Sequence, residues 1–108
     1  MKTDYAIIHK NWNGIEIEIR WIADYVSFDD GQSMAHLEVE SVKPARAPLP
    51  ITETGYRSHF IFRNEVERMG GPEAYVEAWI AEVANAPLWR NAEAASRQLG
   101  PLGGGGGR

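Results

Sequence analysis

The stretch Ile15-Glu-Ile-Glu-Ile-Arg-Trp21 alternates apolar and polar residues at every position. Because successive side chains of a strand point to opposite faces, this pattern predicts a half-buried strand with its isoleucines and Trp21 inward. The Asn13-Gly14 pair directly before it is the strongest short signal for a tight hairpin turn, since both residues tolerate positive φ. Residues 5–10, with two isoleucines at their centre, are the expected first strand of that hairpin.

Two further strands follow along the chain. Residues 35–42 place Leu37 and Val39 on an inward face and two glutamates outward. A polar turn over residues 29–33 precedes this strand, and a loop with three prolines over residues 43–50 follows it, because proline cannot donate to a central strand. Residues 55–62 are the expected fourth strand.

The period of the pattern then changes to that of helices. A short helix is predicted over residues 64–69, capped by Asn64 and ended by a glycine pair. A longer one runs over residues 72–84, with Pro72 at its first position and an apolar stripe at spacings of three and four. A third is expected over residues 88–98. Strands followed by helices predict an α+β fold: a four-stranded antiparallel meander followed by two or three C-terminal helices packed on one face.

Length and composition set the class of protein. The 108 residues predict one α+β domain over residues 1–99, followed by a flexible glycine-rich tail over residues 100–108. There is no cysteine, which excludes disulfides and thiolate chemistry. No apolar run is long enough to span a membrane, so we expect a cytoplasmic protein. The net charge of −4 makes direct binding to nucleic acid an unfavoured function.

One segment concentrates polar side chains between a proline-braced loop and an apolar strand. Its arginine and histidine suit an anionic group or a protein partner, since Arg supplies a planar fork and His a switchable donor. The structural alternative is that these residues only stabilise a turn and its strand. No nucleophile, metal-ligand spacing or phosphate-binding glycine loop accompanies them, so we expect no catalytic residue, metal or cofactor. The candidate binding residues are Thr52, Glu53, Thr54, Tyr56, Arg57 and His59.

A second candidate surface is acidic. Glu16 and Glu18 lie on the outward side of one strand, and Glu38 and Glu40 lie on the outward side of another. If the two strands are neighbours, four carboxylates share a face, and such a face requires interleaved bases or a cationic partner. The functional interpretation is an acidic decoy for a basic groove; the structural one is a solvated face protected from aggregation.

Four motifs carry a resemblance to known sequences. The motifs are Trp12-Asn-Gly-Ile, His36-Leu-Glu-Val-Glu-Ser-Val, Ala47-Pro-Leu-Pro-Ile-Thr-Glu-Thr-Gly-Tyr-Arg-Ser-His-Phe60 and Gly70-Gly-Pro-Glu-Ala-Tyr-Val-Glu-Ala-Trp79. With them the chain resembles a group of small bacterial proteins associated with plasmids and integrated mobile elements. The resemblance implies no particular activity, but such proteins are often regulators or inhibitors of host machinery.

These observations lead to two hypotheses from different classes. The first is a non-catalytic protein-interaction module of a mobile element, an inhibitor of host defence or nucleic-acid-handling machinery that acts through the acidic sheet face. The second is a small-molecule or nucleotide-binding module, or a small enzyme, that uses Arg57 and His59 on an anionic ligand. The sequence gives neither the partner nor the oligomeric state.

Overall fold

The structure is a computed structural model, and it describes residues 5–86 of the chain. Four strands are followed by two helices: β1 (Ala6–Trp12), β2 (Ile15–Ser27), β3 (Ser33–Lys43), β4 (Tyr56–Phe62), α1 (Arg63–Arg68) and α2 (Pro72–Ala84). The predicted α+β class, with four antiparallel strands followed by helices, is confirmed. The expected third helix and the glycine-rich tail lie outside the described residues.

The predicted hairpin turn between β1 and β2 is confirmed. Asn13 and Gly14 have φ values of 49° and 85°, the left-handed conformations that a two-residue hairpin loop of this kind requires. The amide of Gly14 donates to Oδ1 of Asn11 at 3.1 Å, which braces the turn from its first strand. The strong twist of this short loop sets the register, so that Trp12 lies opposite Ile15.

The sheet has the strand order β1-β2-β3-β4, and each neighbouring pair is antiparallel. Ile19 lies opposite Ile8 on one side and Val39 on the other, so inward residues of three strands form one apolar row. Alternation then sends the polar residues of β2 and β3 to the opposite face. We call the face with the apolar row the inner face and the opposite one the outer face.

The core joins the inner face to α2 and to the segment between β3 and β4, residues 44–55, which we call the proline-rich loop. Val76 and Ile80 are the fully or almost fully buried residues of α2, at a spacing of four that keeps them on one side of the helix. From the loop, Leu49 and Ile51 are also buried, at 1% and 5% exposure, so this loop is part of the core rather than a surface excursion. The buried cluster is Ile17, Ile19, Leu37, Val39, Leu49, Ile51, Val76 and Ile80.

Most predicted boundaries of the strands and of the first helix differ from the structure by one or two residues, and two differences matter most. β2 continues six residues beyond the predicted end at Trp21, through a register irregularity between Ile22 and Val26 that lets a non-alternating stretch stay in the sheet. The first helix begins at Arg63, one residue earlier than predicted, and its N-cap is Phe62 without a side-chain hydrogen bond. The predicted cap by Asn64 is therefore wrong, because Asn64 already lies inside the helix. Both ends of α2 agree with the prediction.

Among residues 5–86, neither helix has the length and apolar character needed to cross a lipid bilayer.

Candidate functional site

One arginine organises the polar end of the outer face. From β2, Arg20 donates to two carboxylates of the neighbouring strand β3: its Nε to Oε1 of Glu38 at 2.8 Å, and an Nη to Oε1 of Glu40 at 2.9 Å. Its other Nη donates to Oε2 of Glu18, two residues away on the same strand, at 2.6 Å. Three carboxylates that would repel one another across the strands are thus held by one planar fork.

Two more residues extend this network, which we call the Arg20 network. The hydroxyl of Tyr56 on β4 donates to Oε2 of Glu38 at 2.5 Å, and Nε of Arg46 donates to Oε2 of Glu40 at 3.3 Å. The guanidinium of Arg46 also lies over the ring of Tyr56, 5.6 Å from its centroid. The network therefore spans β2, β3, β4 and the proline-rich loop.

The network shifts the pKa values of Glu18, Glu38 and Tyr56. Burial alone would raise the pKa of Glu38, but hydrogen bonds from Arg20 and Tyr56 outweigh it and hold the pKa below its usual value. Hydrogen bonds from Arg20 and from His9 likewise lower the pKa of Glu18. The hydrogen bond to Glu38 raises the pKa of Tyr56, so this hydroxyl stays protonated as a donor. Glu18 and Glu38 are therefore held as ionised acceptors, and Tyr56 as a protonated donor.

The other end of the outer face is aromatic. The rings of His36 and Phe60 stack with centroids 4.3 Å apart, and the ring of Tyr25 lies 5.3 Å from His36 and 5.5 Å from Phe60. His36 is buried and shares hydrogen bonds through Nδ1 with the hydroxyl of Tyr5 (2.7 Å) and through Nε2 with that of Ser58 (2.8 Å). The histidine is thereby fixed as a platform under Phe60.

Three phenylalanines at this end remain largely in solvent. Phe60 is 53% exposed, Phe28 is 45% exposed and Phe62 is 38% exposed. The rings of Phe28 and Phe62 lie 6.3 Å apart, so the exposed rings are neighbours rather than scattered residues. We call Tyr25, Phe28, Phe60 and Phe62 the aromatic patch. A group of exposed rings is a feature that soluble proteins generally keep for contact with a partner.

The structure divides the six predicted binding residues among three environments. The hydroxyls of Thr52 and Thr54 both donate to the backbone carbonyl of Tyr56, at 2.8 and 3.2 Å. They therefore brace the start of β4, with Glu53 exposed on the turn between them. The side chain of Tyr56 lies on the outer face in the Arg20 network. The structure thus brings Thr52 and Thr54 to the backbone carbonyl of Tyr56 and not to its side chain.

Arg57 and His59 lie on the inner side of β4, against α2. Nη1 of Arg57 donates to the carbonyl of Ile51 at 3.0 Å, and its guanidinium lies 5.2 Å from the centroid of Trp79. His59 packs between Trp79 and Tyr75, with its Nε2 3.3 Å from the hydroxyl of Tyr75. Burial and, secondarily, the charge of Arg57 lower the pKa of His59, so the ring is held neutral.

The four predicted acidic residues are neighbours on the outer side of β2 and β3, but they are not equivalent. Glu18, Glu38 and Glu40 are members of the Arg20 network. Glu16 is exposed, and it lies opposite Lys43 where the register between the two strands shifts. The face therefore carries interleaved cations rather than an uninterrupted anionic row, which is one of the two ways in which such a row can be stabilised.

The described residues contain no group of three or more His, Asp or Glu side chains arranged to hold a metal ion. A shallow hollow of about 240 Å³ lies beside the start of α1, lined by polar residues that include Arg63 and Glu67. Both of these side chains are already joined in an ion pair at 2.7 Å. The two charged side chains that line the hollow are therefore already engaged with each other.

The sequence interpretation did not identify the aromatic patch. The sequence feature that could have indicated the patch is the alternation in β4, where Phe60 and Phe62 share one side and Arg57 and His59 share the other. Neither side of that strand is uniformly apolar, so the pattern alone does not decide which side meets the core. In the structure the side with Arg57 and His59 meets the core, because α2 supplies Trp79 and Tyr75 as their partners.

Comparison with known proteins gives one family. No curated protein matches the sequence, and no solved structure matches it. The family model of the KlcB third domain matches residues 5–89, a range that includes all four strands, both helices, the Arg20 network and the aromatic patch. The chain belongs to the KlcB third-domain family.

Proposed function

We propose that this chain is a non-catalytic protein-binding module, and that it contacts its partner through the outer face of its sheet. The observation that carries the proposal is the aromatic patch: three neighbouring phenylalanines exposed to solvent beside a polar network whose hydrogen bonds are already made. Aromatic side chains that become buried at the centre of an interface are the residues that most often dominate its binding energy. Burial of each ring contributes on the order of 2 kcal/mol.

The Arg20 network gives this surface a polar rim. Its carboxylates suit a partner that presents lysine or arginine, and Glu16 adds an exposed carboxylate beyond the network. Because Arg20 and Arg46 lie among these carboxylates, we assign the larger share of the affinity to the aromatic patch and orientation of the partner to the acidic residues. The geometry thus favours a mixed surface over a purely electrostatic decoy.

The biological setting is part of the same proposal. KlcB is plasmid-associated, and this chain belongs to the family of its third domain. We therefore place the module on a mobile element, in the cytoplasm, with a host protein as its partner. A defence or nucleic-acid-handling complex is the class of partner whose basic surface fits the carboxylates of the rim.

Affinity capture from host cells with matched variants tests the proposal. The wild-type chain is expected to retain a specific protein that Phe60→Ser/Phe62→Ser loses. Met69→Ser is the matched control, because Met69 is 47% exposed and lies beside Tyr75 and Trp79 of α2, away from the outer face. Glu16→Lys is expected to weaken capture and to make it less dependent on salt.

Two outcomes would contradict the proposed surface. The first is retention of the same protein by the folded Phe60→Ser/Phe62→Ser variant. The second is loss of the protein from the Met69→Ser variant to the same degree, which would indicate a general effect on the fold. Thermal melts of all variants accompany the capture, so that loss of the partner is separated from loss of structure.

A further inference from the structure

Within the part of the chain that the structure describes, no strand pairs with the outer edge of β4. β4 is the last strand of the sheet, and its ladder with β3 begins where the amide of Ser41 donates to the carbonyl of Gly55 at 2.8 Å. In an antiparallel pair, hydrogen-bonded and non-hydrogen-bonded positions alternate. The next position, Tyr56 opposite Glu40, is therefore non-hydrogen-bonded, and its backbone groups point away from β3.

The same alternation continues along the strand. Ser58 and Phe60 direct their N–H and C=O groups to the outer edge, whereas the residues between them bond to β3. Phe62 directs its N–H there as well, but as the N-cap of α1 its carbonyl accepts the first hydrogen bond of that helix. At Tyr56 the outward carbonyl is already occupied, by the hydroxyls of Thr52 and Thr54. Within residues 5–86, the isolated bridges join Val42 to Ala45 and Leu49 to Thr52, and neither involves β4. The free part of the edge thus runs from Ser58 to Phe62.

This free edge lacks the usual protection of an edge strand. Natural edge strands are interrupted by proline, by bulges or by charged side chains, which discourage pairing with another chain. From Ser58 to Phe62 the sequence is Ser-His-Phe-Ile-Phe, without proline, lysine or acid. β3 and β4 pair through seven consecutive positions without a register shift, so no bulge turns the edge away.

We propose that a second copy of this chain binds at this edge, with the two β4 strands antiparallel about a two-fold axis at Phe60. In this register Phe60 pairs with Phe60 of the other copy, and Ser58 lies opposite Phe62 at each end. It forms roughly four inter-chain hydrogen bonds, two at the axis and one from each Phe62 N–H to the carbonyl of Ser58. A register shifted toward the start of β4 brings in Tyr56, whose carbonyl is occupied, and one shifted the other way would enter α1.

Side chains favour the same register. At hydrogen-bonded antiparallel positions the Cα atoms lie about 5.5 Å apart, which brings the two Phe60 rings into the range for aromatic pairing. The small Ser58 lies opposite the bulky Phe62, so the outer faces of the two copies join without a clash between phenylalanines. A two-fold axis makes each such contact occur twice, as in most homodimers.

Charge does not oppose the pairing. The two β3 strands, which carry Glu38 and Glu40, would be three strand spacings apart, about 14 Å. This exceeds the screening length of about 8 Å at physiological salt. Arg57 would approach Arg63 of the other copy, but Arg57 is already bonded to the carbonyl of Ile51, and Arg63 to Asp24 and Glu67. The result is one continuous eight-stranded sheet with two aromatic patches side by side.

Sedimentation equilibrium of the full chain, up to the millimolar concentrations used in NMR, is the first test. We expect a reversible dimer. Ser58→Pro removes the outward N–H, together with the hydroxyl that bonds His36, and leaves the hydrogen bonds of the β3 ladder in place, so it should weaken dimerisation at least tenfold. Ser58→Ala, which loses the hydroxyl bonded to His36 but keeps the N–H, should dimerise like wild type. A wild-type chain that stays monomeric, or a dimer insensitive to Ser58→Pro, overturns the proposal.

A charge-swap pair tests the register and remains decisive if the proline variant fails to fold. Phe60→Lys and Phe60→Glu each place like charges opposite each other at the axis, so each alone should be monomeric. Mixed together they should form a heterodimer, because position 60 meets position 60. Folded variants that stay monomeric when mixed overturn the axis at Phe60. Because the readout is self-association, these results are independent of whether a host partner binds the outer face.

Discussion

The backbone of Arg46 occupies the space where a side chain on Gly55 would begin. A Cβ built on Gly55 would lie 2.5 Å from both Cα and C of Arg46, and Gly55 has a φ of 77°. Two independent constraints, a left-handed conformation and a backbone contact, therefore require glycine immediately before β4.

Gly55→Ala is expected to destabilise the fold by more than about 3 kcal/mol, since backbone must move to admit the methyl group. Gly31→Ala is the matched control: its φ is 87°, but nothing lies within 4 Å of the added Cβ. It should cost only about 1 kcal/mol, the strain of the left-handed conformation alone. Urea unfolding of both variants measures the difference; equal losses would contradict the close approach of Arg46.

Arg20→Met should cost about 2 kcal/mol of unfolding free energy. It leaves three carboxylates without their shared donor, on a face where they repel one another. The value lies below that of a fully buried pair because the arginine side chain is 20% exposed. Arg46→Met is the control, since that side chain is 59% exposed and its ion pair should be worth no more than about 0.5 kcal/mol. Chemical denaturation at low and high salt distinguishes the two.

Acid should weaken the fold through Glu18 and Glu38. The folded state lowers both pKa values below the ordinary value of 4.5, so protons bind the unfolded chain more readily. Their contribution is complete above about pH 4.5 and is lost as the pH falls through the lower folded pKa values. Each proton taken up on unfolding adds a slope of at most about 1.4 kcal/mol per pH unit.

Glu38→Gln tests this acid dependence. Urea midpoints measured from about pH 7 to about pH 3 should fall less steeply for the variant than for the wild type, because one titrating group is removed. A variant whose profile parallels the wild-type profile over the whole range would show that Glu38 is not a source of the acid sensitivity.

His59 should give a second, separate pH dependence. Its folded pKa lies below the ordinary value of 6.5, so the unfolded chain binds this proton at a higher pH than the folded chain. Stability should therefore be complete above about pH 6.5 and should decline as the pH falls from there toward the folded pKa. A ring titration by NMR should give a midpoint under 6.5, and His59→Gln should remove this part of the profile. A midpoint above 6.5 would contradict the burial of the ring between Trp79 and Tyr75.

The sequence predicts the sheet where two signals agree. In the first hairpin, the Asn13-Gly14 turn and the perfect alternation of residues 15–21 specify the same register, and the structure has it. α2 is equally well predicted, since Pro72 defines its start and the apolar spacing defines its buried side. In both cases local conformation and hydrophobic pattern require the same structure.

Features decided by tertiary contacts are not visible in the pattern. The extension of β2 to Ser27 contains Ala23, Asp24 and Tyr25 without alternation, and only pairing with β3 keeps it in the sheet. Leu49 and Ile51 sit among prolines, a context typical of surface loops, yet they are core residues. The choice of side for Arg57 and His59 depends on Trp79, which is twenty residues further along the chain from His59.

The phenylalanines of the aromatic patch lie outside the buried cluster that joins the sheet to α2. Under the proposed function, substitutions at Phe28, Phe60 or Phe62 would change partner recognition while the buried cluster stays complete. The proposal then predicts that relatives of this chain diverge at these positions while they keep the same scaffold. Recognition and folding would in that case be separate traits, carried by opposite sides of a single layer of strands.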